Sequence, residues 1–149
     1  MSYRFYGAEV ATVPAISKEY GDIKDPREFY DILSKLWCRE TCAPRMRDKW
    51  SPANKTLGQC SITAFLVQDI FGGDVYGIKL EDGGIHCYNV VDGALFDLTS
   101  EQFGTKKLVY APKTDEIQLR EVQFSKDEKL ERYKHLKAGL LKYAKEHKS

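Results

Sequence analysis

Apolar residues recur at two different periods along this chain. After Asp25-Pro26, the residues Phe29, Ile32, Leu33, Leu36 and Trp37 fall at the three-and-four spacing of one helix face. Asp25 suits the N-cap and Pro26 the first helical position, so the pattern predicts a helix from there to about Glu40. A second helix is predicted from about Cys60 to Phe71. Ile62, Ala64, Phe65, Leu66, Val67, Ile70 and Phe71 leave it little polar circumference, as in a central buried helix, and Gly72-Gly73 supplies its stop. Strand-like runs follow at Asp74 to Leu80, Ile85 to Val91 and Ala94 to Leu98. The last two are joined by Asp92-Gly93, a strong two-residue hairpin signal. Lys107 to Tyr110 and Glu116 to Phe124 are expected to add strands. Ser125 to Glu128 reads as a capping box opening a last helix to about His147, with Leu130, Tyr133, Leu136, Leu140, Leu141 and Ala144 on its apolar side.

This order predicts one α+β domain over residues 1–149. Residues 1–24 form a lead-in, 25–124 the core and 125–149 a C-terminal helix. Between Ala43 and Leu57 the chain is charged, contains Pro44 and Pro52 and shows no period, so a long ordered loop should lead into Cys60. A chain of 149 residues, 42% hydrophobic and 30% charged, can bury an ordinary core, and its net charge of +1 argues against a surface that coats nucleic acid. From Ser125 onward eight Lys or Arg stand against four acids, while fifteen stand against eighteen before it. Mixed signs on that helix and the absence of a stacking pattern favour a solvated face over a nucleic-acid-binding tail. No apolar run reaches membrane-spanning length and the N-terminus lacks a signal-peptide pattern, so a cytoplasmic protein without membrane partners is expected. Cys38, Cys42, Cys60 and Cys87 are then read as free thiols.

Among them, Cys60 occupies a distinctive place. It follows Gly58-Gln59 where a loop turns into the apolar helix, against the free N–H groups and positive end that favour a thiolate. His86, Asn89 and Asp97 follow in one short segment. A two-residue turn at Asp92-Gly93 would set Val91 opposite Ala94, Tyr88 opposite Asp97 and His86 opposite Thr99. Alternation then puts His86, Tyr88, Asp97 and Thr99 on one face and Cys87, Asn89, Phe96 and Leu98 on the other. Asp97 lies diagonal to His86, so it is the expected third member, with Asn89 a buried polar group bonded to nearby backbone. The plainer alternatives are Cys60 as a small buried hydrophobe and Asp97 as the cap of a turn at Thr99-Ser100. For an oxyanion the Cys60 N–H is available, with Gln59 or the preceding loop as a second donor. A zinc site from Cys38, Cys42, Cys60 and His86 has a permissible Cys38-Cys42 spacing, but that pair sits on a predicted helix with no knuckle glycine and the other two ligands are isolated, so no metal or cofactor is expected.

The motifs Leu36-Trp37-Cys38-Arg39-Glu40-Thr41, Trp50-Ser51-Pro52-Ala53-Asn54, Gly58-Gln59-Cys60-Ser61-Ile62-Thr63-Ala64, Gln68 to Gly73, His86-Cys87-Tyr88-Asn89, Asp92-Gly93 and Asp97 to Phe103 resemble the YunG-like family of small bacterial proteins. The resemblance covers roughly residues 30–105 and extends to papain-like and transglutaminase-like cysteine enzymes. It implies a papain-like arrangement, with a central helix on a small antiparallel sheet and an additional C-terminal helix. It also implies site positions at Cys60, His86, Asp97 and Asn89, supported by Gln59, Trp50 and Thr99. The expected function is thiol-dependent hydrolysis or acyl transfer on a small-molecule or peptide amide, ester or thioester. The alternatives are a non-catalytic binding module on the same fold and an interaction protein working through the basic C-terminal helix.

Overall fold

The computed structural model describes residues 3–147; the first two residues of the lead-in and the last two of the C-terminal segment lie outside it. Helix α1 spans Pro26–Ser34, and the Asp25 carboxylate accepts the Glu28 N–H at 3.0 Å as its N-cap. It stops short of the predicted Glu40. Trp37 is buried and its indole Nε1–H donates to Thr63 Oγ1 at 3.0 Å, a tertiary bond that competes with continuation of the helix. Beyond it Cys38 is extended, and Arg39–Thr41 makes one turn of 3-10 helix.

Helix α2, Cys60–Phe71, is the central element, with nine of its twelve residues buried. It lies against the sheet on one side and the C-terminal helix on the other. The sheet consists of β1 (Asp74–Lys79), β2 (Ile85–Val91), β3 (Ala94–Phe96) and β4 (Glu116–Ile117), antiparallel in the order β3-β2-β1-β4. Val91 pairs with Ala94 and Asn89 with Phe96, in the register the Asp92-Gly93 turn predicts. Both turn residues have positive φ, 49° and 82°, as a type I′ hairpin requires. Strand β3 ends before the predicted Leu98 because the lead-in captures the next position: Asp97 N–H donates to Tyr6 C=O at 2.9 Å in an isolated bridge.

Two further strand expectations are corrected. Residues 107–110 form no strand; Tyr110 is instead turned inward by a side-chain bond to Asp97. Of Glu116 to Phe124 only two residues pair with β1, after which α3 (Arg120–Gln123) brings the Arg120 guanidinium to Asp69 at 2.6 Å and to Phe65 C=O at 3.2 Å. Helix α4 covers Asp127–Glu146. Its expected capping box does not form, because Ser125 Oγ donates to Val122 C=O at 2.6 Å. Tyr133, Leu136 and Leu140 bury the apolar side of α4. Among the described residues no helix is long and apolar enough to cross a membrane.

The approach to Cys60 is built as ordered loop. Two 3-10 turns occupy Pro44–Lys49 and Pro52–Asn54, and Trp50 Nε1–H donates to Lys55 C=O at 3.0 Å. Arg132 is buried in α4, and its guanidinium reaches Thr41 C=O at 3.1 Å and Gly58 C=O at 3.3 Å. Gly58 has φ of +70°, and a Cβ there would lie 2.6 Å from Cys42 Sγ and 2.8 Å from the Ala43 nitrogen. Gly93 has φ of +82° with open space around it. Gly93→Ala should therefore cost roughly 1 kcal/mol of backbone strain, and Gly58→Ala about 2 kcal/mol or more because the loop must also move. Denaturant titration of both variants checks this, and equal costs would argue against the close packing of that loop.

Candidate active site

Cys60 is the first residue of α2 and is half-buried. Gln59 at the N-cap places no side chain over the N–H groups of the first turn, so they are not screened from a charge there. The Cys60 sulfur lies 3.9 Å from Ile85 C=O, at the start of β2. The helix begins beside the strand's first residues, so the thiol meets side chains from both faces of β2. His86 and Cys87 line the same cleft as the thiol, although strand alternation turns them to opposite sides.

His86 and Asp97 are each only 1% exposed, and His86 Nε2 lies 2.5 Å from Asp97 Oδ2. With a carboxylate as partner, Nε2 carries the proton and donates it. His86 Nδ1 is buried without a hydrogen-bond partner among the described residues and is the nitrogen left free toward the cleft that Cys60 lines. The Phe103 ring stands edge-on to the imidazole, 4.7 Å between centroids, and shields it. Asp97 uses both oxygens. Oδ2 also accepts the Tyr110 hydroxyl at 2.7 Å, while Oδ1 accepts Thr99 N–H at 3.1 Å and Thr99 Oγ1–H at 3.3 Å. Capping the Thr99 turn and orienting His86 are thus done by different oxygens of one carboxylate.

The remaining expected positions divide by what they touch. Asn89 faces α2 and donates to Ala64 C=O at 2.9 Å, away from His86. Gln59 must be corrected as an oxyanion donor: it is fully buried and its amide donates to Cys38 C=O at 3.1 Å. The Cys60 N–H at the helix start remains the donor that position supplies. Trp50 braces the approach loop and does not line the cleft. Three contributors escaped the sequence reading. Tyr110 comes from an irregular segment with no distinguishing pattern. Cys87 looked like an inward-facing strand residue. Gln102 accepts Gly58 N–H at 3.3 Å and donates to Thr99 C=O at 2.9 Å, tying the Cys60 loop to the Asp97 turn.

A cleft of about 480 Å³ opens on Cys60, His86 and Cys87. The neighbouring Cys87 thiol and His86 hold the Cys60 thiol well below its ordinary range, against the burial that opposes its charge. Burial works against the His86 charge too, but Asp97 and Cys60 outweigh it and raise His86 to about 10. Cys87 moves the opposite way, well upward, because the Cys60 sulfur lies beside it and it is itself buried. These directions favour the thiolate at Cys60 and the imidazolium at His86, and disfavour ionisation of Cys87.

The chain belongs to the YunG family: the family described as YunG protein matches residues 25–145. That span takes in most of α4 and is wider than the 30–105 stretch carried by the motifs. The chain is 30% identical over 117 residues to "Uncharacterized protein YunG" of Bacillus subtilis (strain 168), a match covering 75% of this chain and 88% of that relative. No solved structure gave a significant match.

The pH dependence follows from the shift directions. Falling pH protonates Cys60 only well below the range of a free thiol, and rising pH removes the His86 proton near 10. Alkylation of Cys60 by iodoacetamide should thus be on its plateau at pH 7, where a thiol of pKa about 8.5 is only a few per cent ionised. His86→Ala and Cys87→Ala should each move the midpoint upward. A wild-type midpoint near that of a free thiol would refute the thiolate assignment.

Proposed function

We propose that this YunG-family chain is a thiol-dependent hydrolase or acyltransferase acting on an amide, ester or thioester. The observation that carries the reading is the junction of α2 and β2. There, a cysteine at a helix start meets an imidazole whose other nitrogen is held by a buried carboxylate, and the thiol and imidazole line one cleft. A helix bearing the thiol packed on an antiparallel sheet bearing the imidazole is also the arrangement of papain-like enzymes.

In the reaction Cys60 Sγ attacks the acyl carbon, forming a C–S bond while the carbonyl oxygen gains charge against the Cys60 N–H. As the bond to the leaving group breaks, His86 Nδ1 gives up its proton to the departing nitrogen, oxygen or sulfur. Water or another nucleophile then attacks the thioester, His86 Nδ1 takes its proton, and Cys60 leaves as thiolate. Asp97 stays ionised, keeps the Nε2 proton in place and offsets the imidazolium charge. Tyr110 and Thr99 fix the Asp97 carboxylate beside that ring.

Activated acyl esters and thioesters test the reading. Cys60→Ala should abolish turnover. Asp97→Asn should lower kcat on the order of 10²–10⁴-fold with a smaller change in KM, since it acts through His86 orientation and charge. Rapid mixing should show a burst of leaving group and a covalent acyl adduct on Cys60 by mass spectrometry. Turnover unaffected by Cys60→Ala would overturn the assignment, and ligand retention without any adduct would point instead to a binding module.

A further inference from the structure

The wall of the cleft formed by α4 carries more positive charge than its neighbours neutralise. Four cations line the cleft, Arg45, Lys126, Lys129 and Arg132, against the acids Asp82 and Glu128. Arg132 Nε donates to Glu128 at 2.8 Å and Arg45 lies 3.9 Å from Asp82, so both acids are engaged. Lys126 and Lys129 form no ion pair among the described residues. Lys126 is exposed at the rim. Lys129 is half-buried, and its ammonium donates to the neutral Gln123 Oε1 at 2.5 Å. Burial lowers its pKa, while the neighbouring Cys87 and Cys60 sulfurs work the other way, which puts the ammonium in the electrostatic neighbourhood of the nucleophile. Partly burying an ammonium without a carboxylate is costly, and an anionic ligand group would remove that cost.

We infer that the substrate of this site carries an anionic group, carboxylate or phosphate, near its acyl carbon, and that Lys129 binds it with Lys126 assisting at the rim. The inference rests on the acyl-transfer reading of Cys60. Lys129 is a point charge on a flexible stem and selects by sign more than by shape, so its effect is discrimination between anionic and neutral acyl compounds of equal size.

Iodoacetate and iodoacetamide form a matched pair that reports this at Cys60 without turnover. Relative to glutathione, Cys60 should favour iodoacetate over iodoacetamide on the order of tenfold, the effect of a unit charge a few ångströms from the reacting atoms, and added salt should erode the preference. Lys129→Gln should remove most of it and the exposed Lys126→Gln a smaller part. Inorganic phosphate and succinate at equal ionic strength distinguish the two anions by which one protects Cys60 from iodoacetamide. If Lys129 only stabilises the thiolate, both rates fall together in Lys129→Gln, and the unchanged ratio overturns the inference. If Cys60 reacts with neither reagent faster than glutathione does, the acyl-transfer reading itself fails.

Discussion

A charged pair excluded from water, His86 and Asp97, is the constraint around which this end of the molecule is assembled. Each ion costs several kcal/mol to bury, and the mutual attraction recovers this only when the remaining hydrogen-bonding capacity is met. For Asp97 the structure meets it from three directions. Thr99 supplies two donors to one carboxylate oxygen, Tyr110 supplies one to the other, and Tyr6 takes the Asp97 backbone N–H, while among the described residues the imidazole Nδ1 is left unpartnered at the cleft that Cys60 lines. Irregular stretches before α1 and after β3 are thereby ordered by a polar demand in the core, without ladder hydrogen bonds of their own.

The other half of the site depends on a second buried charge. Arg132 projects from α4 into the loop preceding Cys60 and donates to the carbonyls of Thr41 and Gly58, so the C-terminal helix fixes the backbone just before Cys60. Its apolar side meanwhile packs on α2. The basic excess after Ser125 is therefore divided: part serves the core, part lines the cleft, and the rest is solvated face. A family match reaching residue 145 agrees with α4 being integral to the fold.

Legibility in the sequence tracked how local the determining physics was. The Asp25 cap, the buried circumference of α2 and the Asp92-Gly93 turn are set by neighbours in the chain, and the turn fixed a register from which the choice of Asp97 over Asn89 beside His86 could be derived. The predicted ends of α1, β3 and the segment at residues 107–110 were overridden by contacts distant in sequence: Trp37 with Thr63, Asp97 with Tyr6, and Tyr110 with Asp97. The same limit explains the site. Gln59 looked like an oxyanion donor from its adjacency to Cys60, but only the fold reveals that its amide is consumed by Cys38. Face parity assigned Cys87 away from His86 correctly, yet parity cannot show that a helix start placed at the strand's end is reached from both faces.

Stabilising a thiolate has limited value on its own. At pH 7 a thiol of pKa 8.5 is about 3% ionised, so full ionisation gains roughly 30-fold, while each unit of lowered pKa removes about a factor of three in intrinsic nucleophilicity. Lowering Cys60 far below neutrality would then return little unless the ion pair also served proton transfer. His86 holds its proton partly because Cys60 is negative beside it. In the proposed reaction that charge disappears as the C–S bond forms, and the imidazolium loses one of the two anions that raised it. Its acidity rises at the step where the leaving group needs a proton. Asp97, unchanged throughout, keeps the ring from losing the Nε2 proton instead. In that proposed reaction the short Cys60–His86–Asp97 series of charges would couple bond formation at sulfur to proton release at Nδ1, which a thiolate stabilised only by helix N–H groups and the Cys87 thiol would not do.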